Sequence, residues 1–216
     1  MSPRPPSAPS STGAHEDAAG RSSTTSSRAT GPVLLVSGLV GAAAALVLLV
    51  EKIALLADPD HVPSCSIDAV LSCGSIMRST QAEVLGFPNP IIGLAAFPVV
   101  AAMGALVLAR TSLPAWCWVA LQVGATAGIA FVGWLVAQSV VVIGTLCPYC
   151  MAVWVTTAAI FWFVTAENLA RGHLEAGPPG RLVARRPGAA TAVSLLVLLA
   201  LVVASFPAWF AGMLGV

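Results

Sequence analysis

Charge is what this sequence lacks. Of its 216 residues, 9% are Asp, Glu, Lys or Arg, against about 25% in a soluble domain. Such a chain cannot cover itself with a solvated surface. Nor can it offer a nucleic-acid face: the formal net charge is +1, and no dense basic stripe is present to neutralise phosphates. Internal repeats are absent. What is abundant is apolar: 57% of residues, with a mean hydropathy of +0.90. That content excludes disorder over most of the length and leaves an all-α integral membrane protein as the expected fold class.

The charge deficit is positional. Pro32–Val50, Ile91–Ala109, Ala115–Ala166 and Ala189–Val216 contain no Asp, Glu, Lys, Arg or His. A membrane-crossing helix needs about 20 apolar residues. The first, second and fourth stretches each suit one helix. The third has 52 residues, enough for two, and Gly144 and Pro148 mark the break. The pattern predicts five spans, at 32–55, 91–109, 115–140, 148–166 and 190–210. The Gly124-Ala-Thr-Ala-Gly128 spacing in the third predicts close helix packing.

Residues 1–31 are rich in Pro, Ser, Thr and Gly and read as a disordered cytoplasmic tail. The length of this region and the span-length run after it argue against a cleaved signal peptide. Residues 167–188 read as a polar cytoplasmic linker broken at Gly177-Pro178-Pro179-Gly180, and 189–216 as the fifth transmembrane helix. Eight of the ten Lys and Arg residues fall in the tail, at Arg110 or in 167–188; only Lys52 and Arg78 fall opposite. The positive-inside rule then places the N-terminus in the cytoplasm. Loop 56–90 and the 141–147 turn face the exterior of the cell membrane. Glu51 and Lys52 are adjacent and do not share a helix face; Lys52 is expected to snorkel to the interface. Arg78 is expected to anchor the loop at headgroups, and His61 to be a solvated loop histidine.

Four of the five cysteines map to that exterior, oxidising side. Cys65 and Cys73 lie in the loop. Cys147 and Cys150 form Cys-Pro-Tyr-Cys at the start of the fourth span. Cys117 lies near the opposite end and reads as a small buried apolar residue. Pro148 suits a first helical position, which puts Cys147 at the N-cap, where the helix terminus favours a thiolate. Cys150 lies one turn in. A disulfide beside a lipid-soluble acceptor is what a membrane redox enzyme requires. Three other readings stand beside it: purely structural disulfides in a non-enzymatic membrane protein, a four-cysteine zinc site, and a glutaredoxin-like use of the motif. The Cys spacing is unlike paired zinc knuckles, and a βαβ context for glutaredoxin is missing.

The run Val62-Pro-Ser-Cys65 through Cys73-Gly-Ser, then Gly86-Phe-Pro-Asn89-Pro-Ile-Ile-Gly93, then Leu146-Cys147-Pro-Tyr-Cys150 resembles the vitamin K epoxide reductase family, most closely its actinobacterial homologues. The resemblance covers 32–166. It implies a four-helix transmembrane bundle around a quinone, capped by an exterior loop and half-helix, with the fifth span as an addition. It implies a quinone-dependent oxidoreductase that reoxidises a separate extracytoplasmic thioredoxin-fold (DsbA-like) protein, so supporting disulfide formation in exported proteins. The quinone would be menaquinone, and no metal is expected. Cys147 and Cys150 would be the active pair, with Cys150 nearest the quinone, and Cys65 and Cys73 the shuttle pair. Both pairs are expected as disulfides in the resting protein. Asn89 aligns with an asparagine that hydrogen-bonds a quinone carbonyl, though it also suits a helix N-cap before Pro90. Ser79 stands at a Ser/Thr position near the site, where a local loop hydrogen bond is the competing role. Trp154 replaces a tyrosine of the animal enzymes, which favours plain quinone reduction over epoxide chemistry.

Overall fold

A computed structural model describes residues 13–175 and 177–214. Its elements are α1 (Gly13–Ala57), α2 (Cys73–Met77), a 3-10 turn (Thr80–Glu83), α3 (Pro90–Leu108), α4 (Ala115–Ala137), α5 (Pro148–Ala170), α6 (Pro178–Arg185), α7 (Pro187–Ser205) and α8 (Pro207–Leu214). There is no strand among the described residues; one isolated parallel bridge joins Leu71 and Leu146. Among the described residues, five helical segments are long and apolar enough to cross a membrane: Ala29–Ala57, Pro90–Leu108, Ala115–Ile143, Pro148–Ala170 and Pro187–Ser205.

Pro90, Pro148, Pro178 and Pro187 all sit in a first helical turn, where a missing N–H costs nothing. The third span ends in a π-helical turn, Gln138–Ile143, stopped by Gly144 at φ 70°. That conformation suits glycine and turns the chain back toward α5.

Three boundaries differ from the sequence expectation. The tail is expected to be flexible over 1–31, whereas α1 begins at Gly13; residues 1–12 lie outside the described residues. Extending an existing helix needs no new nucleus, and Ala14, Ala18 and Ala19 are strong helix formers. The linker at 167–188 is shorter than expected, because α5 runs to Ala170 and α6 fills 178–185. The fifth span stops at Ser205 rather than continuing through 210. Phe206 precedes Pro207, which disfavours helical backbone before it, and α8 starts anew.

The core forms where α1, α3, α4 and α5 meet, around Leu34, Phe97, Val100, Trp118, Ala125, Ile160 and Val164. Apolar side chains such as Val36, Leu39, Val123 and Leu196 face outward and are exposed. A water-soluble protein does not present so much apolar surface; a helix facing lipid does. The closest packing is between α1 and α3. A Cβ on Gly38 would lie 2.5 Å from the Ala101 backbone nitrogen, and one on Gly104 would lie 2.4 Å from that of Leu35. These glycines let two backbones touch.

Candidate active site

Loop 58–72 is held by local polar contacts. Asp68 accepts the N–H groups of Leu71 (2.7 Å) and Val70 (2.8 Å). Those two bonds hold its carboxyl below the usual range. The Trp209 indole N–H of α8 donates to the same carboxylate at 3.2 Å. The turn presents Val70–Ser72 to the segment before α5. Leu146 N–H donates to Val70 O (2.7 Å), and Ser72 N–H donates to Leu146 O (2.9 Å). In a parallel pair the chains advance together. Cys73, opening α2, and Cys147, preceding α5, are therefore brought side by side. Ser72 caps α2 by accepting from Ser75 N–H.

The sulfurs follow from that register. Cys65 and Cys73 form a disulfide with Cα atoms 5.6 Å apart. Cys147 and Cys150 are free thiols, so the expected second disulfide is not formed here. Cys73 Sγ lies 2.9 Å from Cys147 Sγ. Cys65, Cys73 and Cys147 are all buried, with their sulfurs within 4.8 Å of one another. With two of these three bonded together, they do not offer the three thiolates a metal ion would want.

Cys147 is the N-cap of α5, with Pro148 at the first helical position. A hydrogen bond from the Cys150 thiol holds the Cys147 thiol below the ordinary cysteine range. Burial opposes this, and the backbone N–H groups of Cys150 and Tyr149 assist it. Cys147 is thus a prepared nucleophile in contact distance of a disulfide sulfur.

Cys150 opens onto a cavity of about 580 Å³. It runs from Cys73, Cys147 and Cys150 at one end to Trp116 and Cys117 at the other, with an overwhelmingly apolar wall. Lys52 is the one charged residue among those lining it. Gly124 and Gly128 line it too. A Cβ at Gly124 would meet nothing within 4 Å, and one at Gly128 only a Thr157 methyl at 3.6 Å. The expected close packing at these glycines is therefore corrected: they widen the cavity, and the packing glycines are Gly38 and Gly104.

Asn89 and Ser79 also line the cavity near its sulfur end. The Asn89 amide donates to Gln81 O (2.7 Å), and its oxygen accepts from Val84 N–H (3.2 Å). It closes the turn before α3 rather than capping α3 with its side chain. The Ser79 hydroxyl donates to Ile76 O at 2.7 Å, a local loop bond. Trp154 is buried against the cavity. Cys117 lines the far end, separated from the other four cysteines by the length of α4.

Several side chains do more than the sequence indicated. Lys52 does not snorkel: it is 7% exposed, donates to Met77 O at 2.6 Å and pairs with Glu83 at 2.9 Å. Glu51 lies 2.8 Å from His61 Nε2 and accepts from the N–H and hydroxyl of Ser64. His61 is thus partnered, not simply solvated. Arg78 donates to Pro59 O at 2.6 Å, tying the end of α2 to the start of the loop instead of reaching for headgroups. The only prior signal for these contacts was the placement of two adjacent charges beside an apolar span.

A sequence model described as the vitamin K epoxide reductase family matches residues 32–165, more than half of the chain. No curated protein matches it.

Proposed function

The chain belongs to the vitamin K epoxide reductase family, a membrane redox family, and from that premise we propose a specific relay. The protein reoxidises an extracytoplasmic thioredoxin-fold protein and passes the electrons to a membrane quinone, menaquinone. The observation that carries this reading is the 2.9 Å approach of Cys73 to the free thiol of Cys147, with Cys150 on the wall of an apolar cavity. The Lys and Arg distribution supports an extracytoplasmic location for this end, with the N-terminus in the cytoplasm.

The approach of Cys73 to Cys147 supports an order for the sulfurs. In this reading Cys73 is the inner member of its pair and Cys65 is the sulfur the partner meets. A partner thiolate attacks Cys65; the Cys65–Cys73 bond breaks and Cys73 leaves as a thiolate. Cys73 then attacks Cys147 of a Cys147–Cys150 disulfide, and Cys150 leaves as a thiolate. The partner's second thiolate attacks its own mixed disulfide, leaving the partner oxidised and Cys65 free. Cys65 attacks Cys73, restoring the Cys65–Cys73 disulfide and releasing Cys147. Two electrons have then moved from the partner to the Cys147–Cys150 dithiol, which is the distribution of bonds found here. Each exchange depends on attacking thiolate and leaving group, and the lowered titration of Cys147 makes it a good leaving group.

The cavity fits a quinone in size, apolar lining and access to Cys150. Asn89 and Ser79 are the polar side chains of the lining that would orient a ring in this reading, beside Gln81, Gln138 and Ser139, and the open wall at Gly124 and Gly128 would take an isoprenoid tail. A bound quinone would supply an acceptor for the two electrons and two protons released as the Cys147–Cys150 disulfide forms. The chain's own task is to keep water from that dithiol and hold Cys150 at the wall. Trp154 stands there without a hydroxyl to offer, which favours quinone over epoxide reduction. The test is quinone-dependent oxidation of a reduced thioredoxin-fold protein by the purified protein. Oxidation that persists in Cys150→Ala would overturn the reading.

A further inference from the structure

Glu51 and Lys52 end the charge-free part of α1, and as neighbours they point to different sides of the helix. The exterior loop folds over both. Glu51 holds His61 and Ser64, the segment entering Cys65. Lys52 holds Met77 O, the last residue of the short helix that Cys73 begins, and Glu83 in the following turn. The two adjacent charges grip the shuttle segment on either side of its disulfide.

The two grips are not equivalent. A five-residue helix has little stability of its own. Its carbonyl end carries partial negative charge that an ammonium complements, and Lys52 meets it at 2.6 Å. Moving the C-terminal end of so short a helix moves Cys73. At the other end, Cys73 is set against Cys147 by two backbone hydrogen bonds of the Leu71–Leu146 bridge. The bridge fixes the register of Cys73; Lys52 fixes the tilt of the helix behind it.

We infer that Lys52 is a positioning residue for the internal exchange: through Met77 and Glu83 it holds Cys73 within attacking distance of Cys147. Glu51 instead steadies the approach to Cys65. This rests on the relay proposed above, but its test needs neither quinone nor partner.

In full-length protein carrying Cys65→Ala, Cys117→Ala and Cys150→Ala, the only thiols are those of Cys73 and Cys147. Equilibration with glutathione buffers, read by thiol alkylation, gives the effective concentration of Cys73 for Cys147. Lys52→Met is expected to lower it by about tenfold or more, as loss of a charged hydrogen bond would. Lys52→Arg should retain most of it, and Glu51→Gln should leave it within about twofold. A companion protein keeping only Cys147 and Cys150 reads the local pair, which Lys52→Met should leave unchanged. An unaltered Cys73–Cys147 value in Lys52→Met overturns the inference. So does an equal fall in both pairs, which would mean general loosening of the fold. Failure of the parent protein to oxidise a partner with quinone would remove the proposed function while leaving this measurement standing.

Discussion

At the end of the bundle away from the sulfurs, Glu167 is 2% exposed and accepts from Arg171 (2.9 Å) and Thr30 (3.2 Å). Asn168, fully buried, donates to Trp118 O and Val164 O and meets His173 with its oxygen. Arg171 stacks 4.7 Å over the Trp118 ring. At the other end, Cys73 and Cys147 are just as deeply buried. There, however, one sulfur is a free nucleophile, its neighbour is a breakable bond, and a cavity opens beside both. The first network ties α1, α4 and α5 together, with Trp118 Nε1 its one buried donor lacking a partner among the described residues. The second leaves reactive capacity unspent. Burial of polar groups therefore marks the reacting atoms here only where it leaves an unfinished reaction.

The comparison breaks most sharply on single cysteines. Cys150→Ala is expected to abolish quinone-dependent oxidation of the partner; the Cys147 thiolate, left without Cys150, attacks Cys73 of the Cys65–Cys73 disulfide and releases Cys65 as a thiolate, so a Cys73–Cys147 disulfide accumulates. Cys117→Ala, at the quiet end of the same cavity, should leave turnover intact. The partner's redox state, read by alkylation in cells, checks both. Equal effects from the two substitutions would mean the ends do not differ as argued.

Between the ends, the cavity wall supplies the next largest effect. Gly124→Leu places a side chain where a Cβ meets nothing within 4 Å, so the fold accepts it while the cavity narrows. A rise of about tenfold in KM for a long-tailed quinone is expected, roughly what one or two displaced methylenes would cause. Cys73–Cys147 exchange should be unchanged. Steady-state kinetics against quinones of different tail length reads this directly.

Arg171→Ala should act in the opposite sense. Removing a charged partner from the buried Glu167 carboxylate is expected to cost about 1–3 kcal/mol of stability, seen as a lower Tm in detergent. Turnover per folded molecule should hold. Loss of turnover without loss of Tm would make the quiet end part of the mechanism.

Much of this arrangement was legible before the fold. A charge-free run in a charge-poor chain is a span, because a charge in lipid is costly. Within the longest such run, Gly144 followed by Cys147-Pro148 marks a break and a new helix N-terminus, because proline suits a first helical turn. What could not be read was non-local. Gly38, Gly104, Gly124 and Gly128 all lie within apolar runs, yet two press backbones together and two line the cavity. Nothing local distinguishes them; the neighbouring helix decides. The Leu71–Leu146 bridge, which sets Cys73 on Cys147, joins residues far apart in the chain. Lys52 looked like an interface lysine because α1 ends near it; the loop folding back buried it.

The smallest effect tests whether the two sulfurs of Cys-Pro-Tyr-Cys prepare one another. The thiol of Cys147 titrates below the ordinary cysteine range, chiefly through its hydrogen bond from Cys150. A lowered value keeps the thiolate present as pH falls, so Cys147 should remain reactive on acidification past the point where an ordinary cysteine is already protonated. In Cys150→Ala the largest lowering cause is gone. Burial still pushes the thiol up, and only the backbone N–H groups of α5 oppose it, so the midpoint for alkylation of Cys147 should move to higher pH. Cys117→Ala should leave it in place. The pH profile of Cys147 alkylation in the reduced protein measures both. A midpoint unmoved by Cys150→Ala would assign the preparation of Cys147 to the helix terminus alone, and would make Cys150 only the sulfur that faces the acceptor.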